Sequence, residues 1–123
     1  MKRIPVFGLA LAMLAALAAA AHADGDAAHG QEIYESRCVA CHSPDANRVG
    51  PMHRGVYGRK AGSVAGYNYS KALQHADLVW NDDTLNQWLA SPQAFLPGQK
   101  MNFKVANPQD RADVIAYLKT LTP

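Results

Sequence analysis

The sequence predicts a small all-α domain made of short helices and long loops. In several segments apolar side chains recur every three or four residues, which is the period of one helix face. No segment alternates between apolar and polar residues as a half-buried strand would. Residues 43–69 carry two prolines and five glycines without sustained periodicity, which indicates a long loop. A loop of this length in a small domain usually wraps a ligand or carries function.

The first 23 residues have the pattern of a cleaved secretory signal peptide. Lys2 and Arg3 precede a nearly unbroken apolar run over residues 6–21, and Ala21-His22-Ala23 is a small-x-small cleavage signal. The run is shorter than the roughly 20 residues that a spanning helix needs, which argues against an uncleaved anchor. We therefore expect export to the periplasm of a bacterium, cleavage after Ala23, no stable membrane insertion afterwards, and a single domain over residues 24–123.

The charge balance argues against a nucleic-acid-binding protein. The chain has 12 Lys and Arg residues against 10 Asp and Glu residues, and cleavage would remove Lys2 and Arg3. The mature domain would then be formally neutral, whereas a nucleic-acid-binding domain is expected to present a strongly basic face. Neutral composition without an obvious apolar patch predicts a monomer. A domain of about 100 residues also builds only a modest core from its own side chains.

The first helix is predicted directly after the polar residues 24–26. Apolar and small side chains then follow at spacings of three and four, so that they share one helix face. The members of this face are Gly30, Ile33, Tyr34, Cys38 and Cys41. We therefore expect the first helix to extend through both cysteines.

Three more helices are predicted in the second half of the chain. Residues 70–76 form a short one, and the next has Asp82 and Asp83 in its first turn and ends at Ser91-Pro92. After a turn at Pro97-Gly98, Asn107-Pro108 supplies the N-cap and first position of a C-terminal helix. The apolar faces of the last two helices consist of Leu85, Trp88 and Leu89, and of Val114, Ile115, Leu118 and Leu121.

The stretch CVACH, residues 38–42, contains both cysteines of the chain. On a helix, Cys38, Cys41 and His42 leave from neighbouring positions on one side. Two thiols can then form thioethers with the vinyl groups of a haem, while the adjacent imidazole binds its iron. The stretch therefore predicts one covalently attached haem c per chain, held by Cys38 and Cys41 and ligated by His42.

Other uses of two cysteines are less consistent with this sequence. A thioredoxin-like dithiol would need alternating strands and helices, and a zinc site would need two further ligands at metal spacing. A plain disulfide in a binding domain without haem stays open, because an exported protein enters an oxidising compartment.

The second axial ligand is predicted to be Met101. It lies in FLPGQKMNF, where a proline-glycine turn can hold an extended loop against the other haem face. Met52 follows Pro51 closely after His42 and is interpreted as a gap-filling core residue. Three other residues, His29, His53 and His75, are interpreted as solvated or locally hydrogen-bonded rather than ligating.

With these motifs the sequence resembles class I c-type cytochromes, the family of mitochondrial cytochrome c and its soluble bacterial relatives. The resemblance covers nearly all of residues 26–121, and its specific stretches include CVACH, GPMHRGVYGRKAG, GYNYS, PGQKMNF and RADVIAYLK. It implies a cytochrome c fold, in which the first and last helices cross at Gly30 and Tyr34 against Val114 and Tyr117, and short helices and long loops wrap one haem.

The resemblance also assigns roles around the haem. The backbone carbonyl of Pro51 would accept a hydrogen bond from the His42 ring, which fixes the ring and strengthens it as a ligand. Four further residues would hydrogen-bond the haem propionates: Arg59, Tyr67, Tyr69 and Trp80. Three positions depart from the common family pattern, namely Leu73, Trp88 and Gln99, and these departures predict a smaller internal water network near the iron.

The predicted function is one-electron transfer, not catalysis. An iron ligated by both His42 and Met101 has no vacant position for a substrate, and a thioether ligand favours the ferrous state. Expected partners are redox proteins such as membrane respiratory complexes, oxidases or periplasmic dehydrogenases, with Arg37, Lys100 and Lys104 offered to acidic docking surfaces. The alternative is a haem enzyme or gas-binding sensor in which the methionine ligand is displaced.

Overall fold

The computed structural model describes Lys2 and residues 25–123, so the predicted signal peptide lies outside the described residues apart from Lys2. The described part contains five helices: α1 (Ala27–Arg37), α2 (Lys71–Gln74), α3 (Asp82–Ala90), α4 (Pro92–Phe95) and α5 (Pro108–Thr120). In these residues no strand forms, and only an isolated antiparallel bridge joins Lys60 to Val79. The predicted all-α class is confirmed. None of the helices in residues 25–123 is long and apolar enough to cross a membrane.

The crossing of α1 and α5 forms the centre of the domain. Tyr34 and Val114 are almost completely buried there, and the rings of Tyr34 and Tyr117 lie 5.2 Å apart. A side chain at Gly30 would overlap the backbone carbonyl of Asp113, so the two helices approach more closely than any larger residue allows. This is the crossing that the family resemblance predicts.

A buried carboxylate fastens the start of α1 to α5. Asp113 accepts hydrogen bonds from the Asp26 backbone N–H at 2.8 Å, from Gln109 Nε2 at 2.9 Å and from His29 Nδ1 at 2.6 Å. Buried polar groups are stable only when bonded in this way. His29 is therefore locally hydrogen-bonded, as predicted.

The first helix ends earlier than predicted. It stops at Arg37, and Cys38 is its C-cap, with its backbone N–H bonded to the Tyr34 carbonyl. Cys41 and His42 both donate their backbone N–H to the Cys38 carbonyl, at 3.1 and 2.9 Å. The stretch from Cys38 to His42 is thus a tight turn after the helix, because its later carbonyls bond to a distant segment and not to the next helical turn.

Helices α3 and α5 begin at the predicted signals, whereas α2 and α4 differ from the prediction. Asn81 and Thr84 form a capping box at α3, and Asn107 caps α5 with Pro108 at the first helical position. The predicted helix at residues 70–76 is only the single turn α2. Ser91-Pro92 ends α3 as predicted, but Ser91 also caps α4, a one-turn helix that the sequence reading missed.

The long loop pairs with the segment between α2 and α3 near the isolated bridge. The Trp80 backbone N–H bonds to the Arg59 carbonyl at 2.9 Å, and the Gly58 N–H bonds to the Trp80 carbonyl at 2.7 Å. These bonds place Arg59 beside Trp80. The bridge therefore brings two residues of the predicted haem pocket together across about 20 positions of sequence.

Candidate haem site

The two cysteines differ in their surroundings. Cys38 is half-buried, Cys41 is exposed, and both are free thiols. Burial raises the pKa of the Cys38 thiol to about 11, since a thiolate is disfavoured away from water. No disulfide joins this pair in the described residues, which leaves both sulfurs available for thioether bonds.

The His42 ring is fixed by its immediate surroundings. Its Nδ1 donates to the Pro51 carbonyl at 3.1 Å, as the family resemblance predicts, and this bond leaves Nε2 free to act as a ligand. Burial lowers the pKa of His42, although the bond to Pro51 opposes the change. Burial therefore favours the neutral ring, which is the form that binds a metal.

Gly50 forms a cradle against the His42 ring. A Cβ atom added at Gly50 would lie 2.5 Å from Nδ1 and 2.6 Å from Nε2 of His42, well inside ordinary contact. From the sequence, Gly50 is only one glycine of the predicted loop. The signal for its role is its position directly before Pro51, because the segment whose carbonyl bonds the His42 ring must pass close to that ring.

The ring of His53 is stacked on the ring of His42. Its ring centroid is 4.0 Å from that of His42, with an interplanar angle of 20°, and its Nδ1 is 2.9 Å from the Tyr34 hydroxyl. Burial, followed by the nearby His42 and Arg59, holds the pKa of His53 well below the usual value. The predicted local bonding of His53 is correct, but its stacking on His42 was not anticipated.

Met101 is half-buried and packs against the main hydrophobic cluster. The buried side chain of Gln99 accepts a hydrogen bond from the Met101 backbone N–H, and Gln99 Nε2 donates to Gln93 Oε1 at 3.3 Å. Gln99, one of the departures from the family pattern, therefore positions the methionine loop. The turn at Pro97-Gly98 is present as predicted, with Gly98 at a φ of 91°.

The four residues predicted to face the haem propionates occupy adjoining loops. Arg59 donates to the carbonyls of Met52 at 2.8 Å and Arg54 at 3.2 Å, and burial lowers its pKa. The rings of Tyr67 and Tyr69 lie 4.7 Å apart. Trp80 is buried.

Three other positions discussed from the sequence are Met52, Trp88 and Leu73, and the structure contradicts the interpretation of Met52. Met52 is half-buried but lies outside the hydrophobic cluster, so its interpretation as a core gap-filler is wrong; its backbone instead bonds Asn47 and Arg59. The second departure from the family pattern, Trp88, is buried with its ring 5.4 Å from that of Trp80. The third, Leu73, packs on the edge of the cluster.

The three cations predicted for docking are not equally free. Arg37 lies 3.5 Å from Asp110, and Lys100 Nζ donates to the Asn68 carbonyl at 3.2 Å. Lys104 is exposed and has no salt bridge within residues 25–123. Only Lys104 is therefore available without breaking an existing contact.

The donor set fits a haem. Two unpaired thiols follow one another on a tight turn, a neutral imidazole with one committed nitrogen lies beside them, and a thioether lies on a separate loop. The partly desolvated guanidinium of Arg59 and the indole N–H of the buried Trp80 are both donors, which suits the carboxylates of such a cofactor. These chemistries match the requirements of covalent attachment and axial ligation.

Comparisons with known proteins agree with the fold and the donor set. The family model described as cytochrome c matches residues 27–122. The chain is 47% identical over 100 residues to cytochrome c of Euglena viridis, covering 79% of this chain and 98% of that protein. It is 46% identical over 106 residues to cytochrome c2 of Rhodomicrobium vannielii, covering 83% and 84% of the two chains.

Solved structures give the same result. Cytochrome cH from Methylobacterium extorquens superposes with a TM-score of 0.75 at 46% identity, covering 78% of this chain and 99% of that one. Ferricytochrome c2 from Rhodopseudomonas palustris superposes with a TM-score of 0.74 at 42% identity, covering 78% and 98%. The predicted class I c-type cytochrome is confirmed. The chain therefore belongs to the cytochrome c family and is an electron carrier, not an enzyme, with a haem c bound covalently through Cys38 and Cys41.

Proposed function

We propose that the protein is an exported, periplasmic electron carrier whose haem iron is ligated by His42 and Met101. The observation that carries this proposal is the fixed His42 ring, with Nδ1 committed to the Pro51 carbonyl and Nε2 left as the donor. The bound haem supplies a one-electron change between ferric and ferrous iron. The surrounding residues hold the imidazole of His42 and the thioether of Met101 in place while the iron changes its oxidation state.

Further residues hold the methionine loop and supply donors for the cofactor. The Met101 backbone N–H bonds to the buried side chain of Gln99, and this bond fixes the loop that carries the thioether. We propose that Arg59, Tyr69 and Trp80 provide donors for the haem propionates, since a buried carboxylate is costly unless it is bonded. Tyr67, predicted for the same role, lies beside them and donates its hydroxyl to the Val49 carbonyl at 2.6 Å.

The test of ligation is replacement of Met101 by leucine, which keeps the volume and removes the sulfur. In the ferric wild-type holoprotein we expect a sulfur-to-iron absorption band and slow uptake of carbon monoxide after reduction. In M101L the band should disappear and carbon monoxide should bind quickly. M52L is the matched control and should behave as the wild type. An unchanged band in M101L would contradict ligation by Met101, and fast uptake by the wild type would favour a gas-binding protein.

The location and partners belong to the same proposal. Residues 1–23 have the form of a cleaved signal peptide, and two of the relatives are bacterial cytochromes c2 and cH. Cleavage is tested by the mass of the protein recovered from the periplasm, which should begin at Asp24. Recovery of the full-length chain in the membrane fraction would exclude this processing.

We propose that the partners are membrane respiratory complexes, oxidases or periplasmic dehydrogenases, met at a small interface that includes Lys104. Since exposed charges are screened by salt, the rate of electron transfer to an acidic partner should fall as ionic strength rises. In K104Q this salt dependence should weaken. A rate that does not change with salt in the wild type would remove electrostatic docking from the proposal.

A further inference from the structure

The haem-attachment turn ends a helix and leaves carbonyl groups that need donors. Because α1 stops at Arg37, the carbonyls of residues 39–42 have no partner in a following helical turn. Residues 39–41 are exposed, so water alone could bond their carbonyls. Donors from another part of the chain restrict the turn more than water does, because they fix it relative to that part.

The donors come from one short segment, residues 48–50, which we call the clamp. Arg48 donates through its guanidinium to the Val39 carbonyl at 2.5 Å, and more weakly to His42 at 3.3 Å and Ala40 at 3.5 Å. The Gly50 backbone N–H donates to the Cys41 carbonyl at 2.8 Å. All four consecutive carbonyls are thus bonded by the clamp, three of them by one side chain.

The clamp is itself fixed to other parts of the pocket. The Arg48 backbone N–H bonds to the Gly50 carbonyl at 2.9 Å, and the Val49 carbonyl accepts a hydrogen bond from the Tyr67 hydroxyl at 2.6 Å. Gly50 also lies directly against the His42 ring. The position of the clamp therefore sets both the turn that carries the sulfurs and the space in which the imidazole lies.

We infer that Arg48 is a positioning residue of the haem site, whose planar guanidinium holds the Cys38–His42 turn in register with the His42 ring. A planar fork of donors reaches several carbonyls at once, whereas the ammonium of lysine is a single point. The role of Arg48 in holding the turn does not depend on which residue is the second axial ligand. Its effect on the ring rests on the proposed ligation by His42.

The test compares four holoproteins: the wild type, R48Q, R48K and R54Q. The matched control is R54Q, because Arg54 is a nearby loop arginine that bonds Asp45 and Thr122 and not the turn. In R48Q we expect hydrogen exchange at the Gly50 amide to accelerate about tenfold, equivalent to ~1.4 kcal/mol. The increase should be smaller in R48K and absent in R54Q.

A second readout reports the ring itself. The electron paramagnetic resonance g-values of the ferric protein depend on the plane of the axial imidazole, and they should shift in R48Q and stay unchanged in R54Q. Equal behaviour of R48Q and R54Q in both measurements would overturn the inference. If R48Q yields no holoprotein, R48K decides: wild-type exchange at Gly50 in R48K would show that the guanidinium fork is not needed. If the wild-type protein showed no axial ligation by His42, the proposed function would be contradicted, but the result of hydrogen exchange at the Gly50 amide would still stand.

Discussion

Replacement of Gly50 by alanine should displace the His42 ring and destabilise the holoprotein. The added Cβ would lie 2.1 Å from His42 Cε1, whereas ordinary contact begins at 3.4 Å, so ring and backbone must separate by about 1.3 Å. The backbone at Gly50 cannot move freely, because its N–H bonds to the Cys41 carbonyl at 2.8 Å. The ring cannot rotate without weakening its 3.1 Å bond to the Pro51 carbonyl.

The magnitude follows from these contacts. Overpacking costs about 1–3 kcal/mol, and weakening of two hydrogen bonds adds about 0.5–1.5 kcal/mol each. The expected loss in free energy of unfolding is therefore about 2–6 kcal/mol, a large share of the ~5–15 kcal/mol typical of a domain. Guanidinium unfolding of the ferric holoprotein, followed by far-ultraviolet circular dichroism, measures this loss.

The matched control is G58A. No heavy atom lies within 4 Å of a Cβ at Gly58, but its φ is 86°, so alanine there costs only about 1–2 kcal/mol of backbone strain. Both variants change the unfolded chain in the same way. G50A should be the less stable of the two and should alter the haem absorption spectrum. The reasoning about the cradle would be refuted if G50A were as stable as G58A and kept the wild-type spectrum.

Two further predictions concern the methionine loop and the helix crossing. In Q99L the Met101 backbone N–H loses its acceptor, so imidazole should displace the methionine ligand about tenfold more readily. The control is Q93L, which removes only the 3.3 Å bond to Gln99. Equal displacement in the two variants would exclude a role for Gln99 in holding the methionine loop. In H29Q the stability loss should depend on pH. The bond to Asp113 raises the pKa of His29 in the folded protein. The contribution of His29 to the free energy of unfolding is therefore complete below the ordinary pKa of about 6.5 and disappears as pH rises through the higher folded pKa. Burial opposes ionisation of Asp113, but its bonds to His29, Asp26 and Gln109 lower its pKa, so the carboxylate contributes until pH falls through that lower value. H29Q should therefore lose more stability at pH 5.5 than at pH 8.5, and an equal loss at both values would argue against the charged pair.

Local signals in the sequence were sufficient for much of the architecture. Helix α5 begins at the predicted Asn107-Pro108 and α3 ends at the predicted Ser91-Pro92, since caps and proline effects act between residues that are adjacent or a few positions apart. The CVACH stretch likewise determined the cofactor, because its three functional groups need no distant residue to lie together. The family resemblance then supplied the Pro51 bond to His42, which the structure contains.

Tertiary structure decided the features that depend on where the long loop returns. The periodicity of the sequence predicts that α1 extends through Cys41, but the helix stops at Arg37. After this point the clamp at residues 48–50 donates hydrogen bonds to the carbonyls that another helical turn would have used. The cradle at Gly50 and the stacking of His53 on His42 have no periodic signature. Each depends on the path of an irregular segment, and a contact of that kind is set by loop closure and packing, not by the local preferences of its residues.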